Sequence, residues 1–351
     1  MSNFLVSSFS LSSAPRSAVF HIQDELRTAQ KEVTTGRFAD VGLVLGSRTN
    51  QTVSLRVERE SAIRMQEANT LIGQRFNTMQ TALESIAKTG ENLLASLISN
   101  GPTDAGISAS TQQAKAGLQQ FMGAINASSG SRFLFSGAAT DQPALAFEKV
   151  GGGGVADSYE DNSTARKAVA DALAFAAPVT DLDAFLDGPF NDLFEVPDPS
   201  DGTGWDMWSK ANAAPVYNRI SDSETLDVSY PATNDAFRNI VKAYVMVSDL
   251  GLQDMGEDQR QLLASRAVET LSLGLSQLTE IRADIGSKQS RLEITNEALG
   301  ARKNVLTMSI SSFEDVDAYE ASTRVTTLTN LLEASYALTA RISRLSIMNY
   351  L

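Results

Sequence analysis

The sequence predicts a mainly α protein: an elongated antiparallel coiled-coil helical bundle formed by the N- and C-terminal segments, with a small inserted β-containing (α+β) domain. Three observations predict it. Two segments far apart in the 351-residue chain carry apolar residues at heptad spacing. Prolines and glycines crowd the middle, where seven of the nine prolines lie between Pro143 and Pro231. Hydrophobic content is 42% and aromatic content 7%, which suits narrow helical seams better than one round core.

At the N-terminus, Met1 to Gln23 carries a single formal charge, Arg16. Serines interrupt its apolar residues and no basic region precedes them, so a cleaved secretory leader is not expected. Next comes the first heptad segment: Ile72, Phe76, Met79, Leu83, Ile86, Gly90, Leu93 and Leu97 alternate at spacings of four and three. After it, "SSGSRFLFSGAATDQPAL" breaks the helical pattern with the compact run Phe133-Leu134-Phe135, which reads as a short strand.

Within the middle region, residues 164–177 fit one helix. The acidic "LDGPFNDLFEVPDPSDGTGWDMW" reads as an irregular surface segment. Helix resumes with Asn234 or Asp235 as N-cap and Gly251 as its stop. The second heptad segment has a spine at strict sevens: Leu271, Leu278, Ile285, Leu292, Leu299, Leu306 and Phe313. Its companion position runs Leu275, Arg282, Gln289, Asn296, Lys303, Ile310, polar for four heptads, which weakens a coil but fixes its register. Both a rod completed by neighbours and a solvent-exposed hairpin fit that pattern.

In the last segment Val325, Leu328, Leu331, Leu332, Leu338, Ile342, Leu345 and Met348 form a broad apolar stripe at helical spacing. From Glu333 onward the only charges are Glu333, Arg341 and Arg344. A helix this poor in charge packs on more than one side, and its scattered Ser, Thr, Asn and Arg argue against membrane insertion. It docks either on its own domain or on neighbouring chains. On the second reading Leu328, Leu332, Leu338, Ile342, Leu345 and Met348 form an assembly interface. The rod core is then Ile72, Phe76, Met79, Leu83 and Ile86 against Leu278, Ile285, Leu292, Leu299 and Leu306. The expected organisation is terminal assembly helices at 1–45 with 315–351, a coiled-coil rod at 46–140 with 235–314, and an outer domain at 141–234.

The inventory argues against catalysis. Asp and Glu total 42 against 29 Lys and Arg, a formal charge of −13 that speaks against nucleic acid or an anionic membrane as partner. There is no cysteine, and His21 is the only histidine, so zinc sites and Cys–His nucleophiles are excluded. "VGGGGVAD" lacks the Lys-Ser/Thr of a phosphate loop. Asp198, Asp201 and Asp206 do not have EF-hand spacing and read as a solvated turn. No cofactor and no metal are expected.

Several stretches resemble the bacterial flagellin superfamily, in particular the flagellar hook-associated proteins of the hook-filament junction (FlgL type). Phe133-Leu134-Phe135-Ser136-Gly137 with Thr140 and Pro143 matches a family motif, as does Thr35-Gly36-Arg37 after an amphipathic helix. So do Tyr319, Leu331-Leu332-Glu333-Ala334-Ser335-Tyr336, Leu345-Ser346 and the closing Asn349-Tyr350-Leu351. After Thr35-Gly36-Arg37 the chain reads "FADVGLVLGSRTN", without the acidic pair plus glycine common there in flagellins.

The resemblance implies a non-enzymatic structural protein, exported unfolded by the flagellar type III apparatus while a chaperone holds its C-terminal helix. It implies a homo-oligomeric ring at the hook-filament junction of the extracellular flagellum, with flagellin and another hook-associated protein as partners. Phe133, Leu134 and Phe135 would be core residues of a β element, with Gly137 allowing the turn. A flagellin of the filament itself is the alternative. A cytoplasmic coiled-coil interaction protein fits the apolar C-terminus less well, and an enzyme lodged in the insert fits the inventory worst.

Overall fold

The computed structural model describes residues 8–100, 103–147, 150, 159, 163–175, 181–197 and 202–348, leaving aside the side chains of 8–15, 175, 253 and 342–348. Within these, the chain forms α1 (Ser8–Thr35), α2 (Val41–Leu45), α3 (Thr49–Asn100) and α4 (Asp104–Ile125), then a hairpin of β1 (Ser128–Ser129) and β2 (Arg132–Phe133). There follow α5 (Thr164–Phe175), α6 (Leu182–Asp187), α7 (Pro189–Asp192) and a second hairpin, β3 (Tyr217–Arg219) with β4 (Thr225–Asp227). The chain ends with α8 (Asp235–Asp249), α9 (Glu257–Glu314) and α10 (Ala318–Met348). The fold is thus mainly helical, and both described sheets are two-stranded and antiparallel. No helix among the described residues is long and apolar enough to cross a membrane.

The chain divides into two compact units, Met1–Arg64 with Leu299–Leu351, and Met65–Ala298. In the second unit, the α3 residues Ile72, Phe76, Met79, Leu83, Ile86 and Leu93 are buried, as are Leu271, Leu278, Ile285 and Leu292 on α9. Heptad spacing places them on one stripe of each helix, and burial of those stripes drives the pairing. The pairing is antiparallel: Gln66 Nε2 donates to the Asn296 carbonyl at 2.8 Å, and Gln80 Nε2 to the Arg282 carbonyl at 2.8 Å. The polar companion positions therefore have matching amides opposite them. Gln289 Nε2 donates to Asn77 Oδ1 at 2.7 Å, and Asn69 Nδ2 to Asn296 Oδ1 at 3.0 Å. A slip of one turn would unpair these amides, so they fix register while the leucines supply the attraction.

The α4 and α8 helices complete this core. Thr103 caps α4 by accepting from the Gly106 N–H, and Asn234 caps α8 by accepting from the Ala236 N–H. Gly251 sits just beyond α8 with φ of 69°, the left-handed stop that the sequence predicts there. Phe121 on α4 meets Phe237 and Tyr244 on α8, and Phe237 meets Phe135 edge-on at 5.6 Å.

The middle segment corrects two expectations. Of the aromatic run only Phe133 lies in a strand, and it is part-exposed; Leu134 and Phe135 are the buried members. Beyond them Gly137 has φ of 62° and bridges Asn212, where a Cβ would lie 1.7 Å from the Asn212 carbonyl oxygen. The left-handed Gly137 therefore lets two backbone segments approach where a side chain would not fit. The second correction concerns the acidic aromatic stretch, which is interior on its aromatic side. Phe190, Phe194, Trp205 and Trp208 are buried; Trp208 stacks on Trp205 and Tyr159, and its indole N–H donates to the Leu193 carbonyl at 3.0 Å. The acids dominate its composition, but the non-periodic aromatics decide its packing. Asp198 and Asp201 lie outside the described residues.

Candidate assembly surfaces

In the first unit α1 and α10 pack as an antiparallel pair, with Ala29, Ala321 and Leu328 buried. Tyr336 Oη accepts from Gln23 Nε2 at 2.6 Å, and Arg324 Nη1 donates to Glu32 Oε2 at 3.3 Å. The α1 helix stops because Gly36 adopts φ of 72°, its N–H closing on the Glu32 carbonyl. The backbone then pairs with the junction of α9 and α10. Phe38 N–H donates to the Glu314 carbonyl and Val316 N–H to the Gly36 carbonyl, both at 3.0 Å. Thr35-Gly36-Arg37 is thus the half of a clasp that holds the turn after α1 against the start of α10.

Two buried glutamates complete the clasp. Glu314 is 1% exposed and accepts both Arg56 Nε, at 2.9 Å, and Arg56 Nη2; Arg37 Nη1 stands 3.7 Å away. The hydrogen bond to Glu314, aided by its charge, holds the Arg56 guanidinium above its ordinary value against a desolvation that lowers it. Glu32 has Arg324 on one oxygen, and its other accepts from the Ala39 N–H at 3.1 Å. A carboxylate at this depth is tolerated because it is paired and hydrogen-bonded. The partners are 258 and 292 residues apart in sequence, so no local pattern signals them. Taken alone, each glutamate reads as solvent-facing.

Outside the clasp, the first unit leaves large apolar side chains in water. Phe20 on α1 is 70% exposed, Leu43 on α2 82%, and Tyr319 and Leu338 on α10 83% and 57%. Tyr319, Thr323, Thr327 and Leu328 line a shallow hollow of about 440 Å³ on α10. Of the expected interface residues, Leu338 faces solvent, Leu332 is part-buried, and Leu328 is packed within the unit. The stripe is broad enough that one edge meets α1 while the other stays free. Ile342, Leu345 and Met348 belong to α10, with side chains outside the description. Of the expected rod-core residues, Leu299 and Leu306 are buried in the first unit and the other eight in the second. His21 is exposed on α1.

Comparison with known proteins places these elements. The family model described as the bacterial flagellin N-terminal helical region matches residues 6–140, and that of the bacterial flagellin C-terminal helical region matches residues 268–351. A solved structure from Vibrio parahaemolyticus, provisionally assigned as a flagellar hook-associated protein, is similar at TM-score 0.53 and 11% identity, over 76% of this chain and 97% of that one. The crystal structure of Bacillus cereus FlgL is similar at TM-score 0.44 and 14% identity, over 74% of this chain and 98% of that one. No curated protein gives a significant match.

Proposed function

The chain belongs to the bacterial flagellin family, and from that premise we propose that this flagellar structural protein is the hook-associated adaptor joining hook to filament. The observation that carries the reading is the apolar surface of α1 and α10 in the first unit, with Phe20, Tyr319 and Leu338 exposed. Large apolar side chains held in water cost free energy that a covering partner removes. Copies of the same chain, arranged as a ring, would cover it, with flagellin and another hook-associated protein on the ring's two sides. A chaperone at the C-terminal helix would shield it before type III export. The similar solved structure assigned as hook-associated shares the fold over nearly its whole length, which agrees with this reading. The polar companion position on α9 agrees, because the side chains of Arg282, Gln289 and Asn296 pair internally rather than offering a self-copying seam.

The test is localisation. Antibody against residues 150–230, followed by gold labelling of intact flagella, should mark one narrow band between hook and filament. A strain lacking the protein should shed flagellin monomers into the medium. Labelling along the whole filament would make the chain a flagellin instead.

A further inference from the structure

The second unit has a pocket of about 500 Å³ between α3 and the two hairpins, lined by Leu71, Arg75, Ser129, Arg132, Asn218 and Arg219 among others. Three arginines line this pocket, and none of its lining residues is Asp or Glu. In a chain of net charge −13 that is an inversion of the surrounding surface. Arg219 is answered locally, donating to the carbonyls of Ser221 and Asp222, with the Asp222 carboxylate 3.6 Å away. The other two are not. Arg75 donates only to the Leu134 carbonyl, at 3.3 Å, and its Nε is buried with no partner. Among the described residues Arg132, exposed at the end of the first hairpin, has no ion pair. Burial, and then the nearby positive charge of Arg132, lower the Arg75 pKa. Two like charges held together without a counter-ion are a cost that an arriving anion removes.

We propose that this pocket receives the carboxylates of an acidic peptide segment from a partner chain. Arginine forks pair with carboxylates in bidentate geometry, and Ser129 and Asn218 add neutral hydrogen-bonding groups at the rim. The apolar part of the lining distinguishes the occupant from a free inorganic anion. Leu71 is 67% exposed beside the arginines, and Leu134 lies beneath them. A peptide covers that surface with its aliphatic carbons, and a phosphate ion does not. Phosphate or sulfate alone would also leave most of the volume empty. The assignment rests on the pocket itself and is independent of where in the flagellum the chain resides.

The experiment uses the full-length chain and a fluorescently labelled, end-blocked hexaglutamate, read by anisotropy at fixed ionic strength. The global charge repels this probe, so binding reports a local site. The expected result is saturable binding, weakened at least roughly tenfold by Arg132→Glu. Arg132→Lys should retain part of it, and the same charge change at Arg16 should have little effect. Arg132 is exposed, so these variants should fold; Arg75→Gln is a second, more buried probe, checked by circular dichroism. Inorganic phosphate is the competing arm and should displace hexaglutamate only weakly. Absence of binding, equal affinity in Arg132→Glu, or phosphate binding with no hexaglutamate binding would each overturn the assignment.

Discussion

In the second unit Phe237, Ile240, Val241 and Tyr244 on a single 15-residue helix are all fully buried. In the first, Phe20, Tyr319 and Leu338 project into water, and the buried set is small: Ala29, Ala62, Leu299, Leu306, Ile310, Ala321 and Leu328. One unit closes its own core with aromatics from helix and insert. The other holds its helices by a polar clasp around Glu32 and Glu314 and leaves apolar faces unmatched. The difference is one of packing: the second unit buries a large aromatic and aliphatic core, and the first buries few side chains and leaves several large apolar ones in water.

The comparison breaks most visibly at Leu338. Leu338→Asp should leave monomer stability within about 0.5 kcal/mol of the parent, as for other exposed positions. In an assembled contact the same carboxylate would be buried unpaired, at a cost of several kcal/mol. Immunoblots should find the variant in the medium and missing from flagella. Normal incorporation would mean that this face is not a contact.

Next in size is the core of the second unit. Phe237→Ala removes a ring packed on Phe121 and Phe135, and urea denaturation should show a loss of about 3–5 kcal/mol. The matching change in the first unit, Leu331→Ala, should cost under about 0.5 kcal/mol in the monomer. Equal losses would erase the distinction between the units.

A third variant sharpens the role of the clasp. Arg56→Ala leaves Glu314 buried with only the more distant Arg37, and should destabilise the first unit by about 1–3 kcal/mol. Arg27→Ala, which breaks the fully solvated pair with Asp24, should have an effect near zero.

The smallest effect is a pH dependence in the second unit. Burial of Asp284 opposes its ionisation, but hydrogen bonds from Tyr230 and Lys288 outweigh that and hold its pKa below the ordinary value. A depressed carboxylate pKa contributes stability above the unfolded value of about 4 and loses it as pH falls through the folded value. Asp284→Asn should therefore lower stability at neutral pH and flatten the acid limb below about pH 4. The change should stay under about 1 kcal/mol, because this carboxylate is half-exposed and solvent screens it.

How much of this was legible follows from the range of the forces involved. The seams on α3 and α9 could be read directly, because Ile72 to Leu97 and Leu271 to Leu292 repeat with the helix period. The cap at Asn234 and the stop at Gly251 are local chemistry and were equally plain. The polar companion positions were visible, but not their partners: Asn77 and Gln80 are amides like many others until α9 lies opposite them. The aromatic core around Trp208 carries no such signal, since Tyr159, Phe194 and Trp205 meet it from positions that share no period. The clasp was half visible. Thr35-Gly36-Arg37 stands out as a motif, whereas the glutamates beside it are paired across most of the chain.

The most direct test of the contrast between the units is amide hydrogen exchange on the purified monomer, read by peptide. Backbone amides of α4 and α8 should exchange only through global unfolding, whereas those of α1 and of α10 beyond Leu331 should exchange far faster and become protected in isolated flagella. Equal, slow exchange in both units of the dilute monomer would contradict the account.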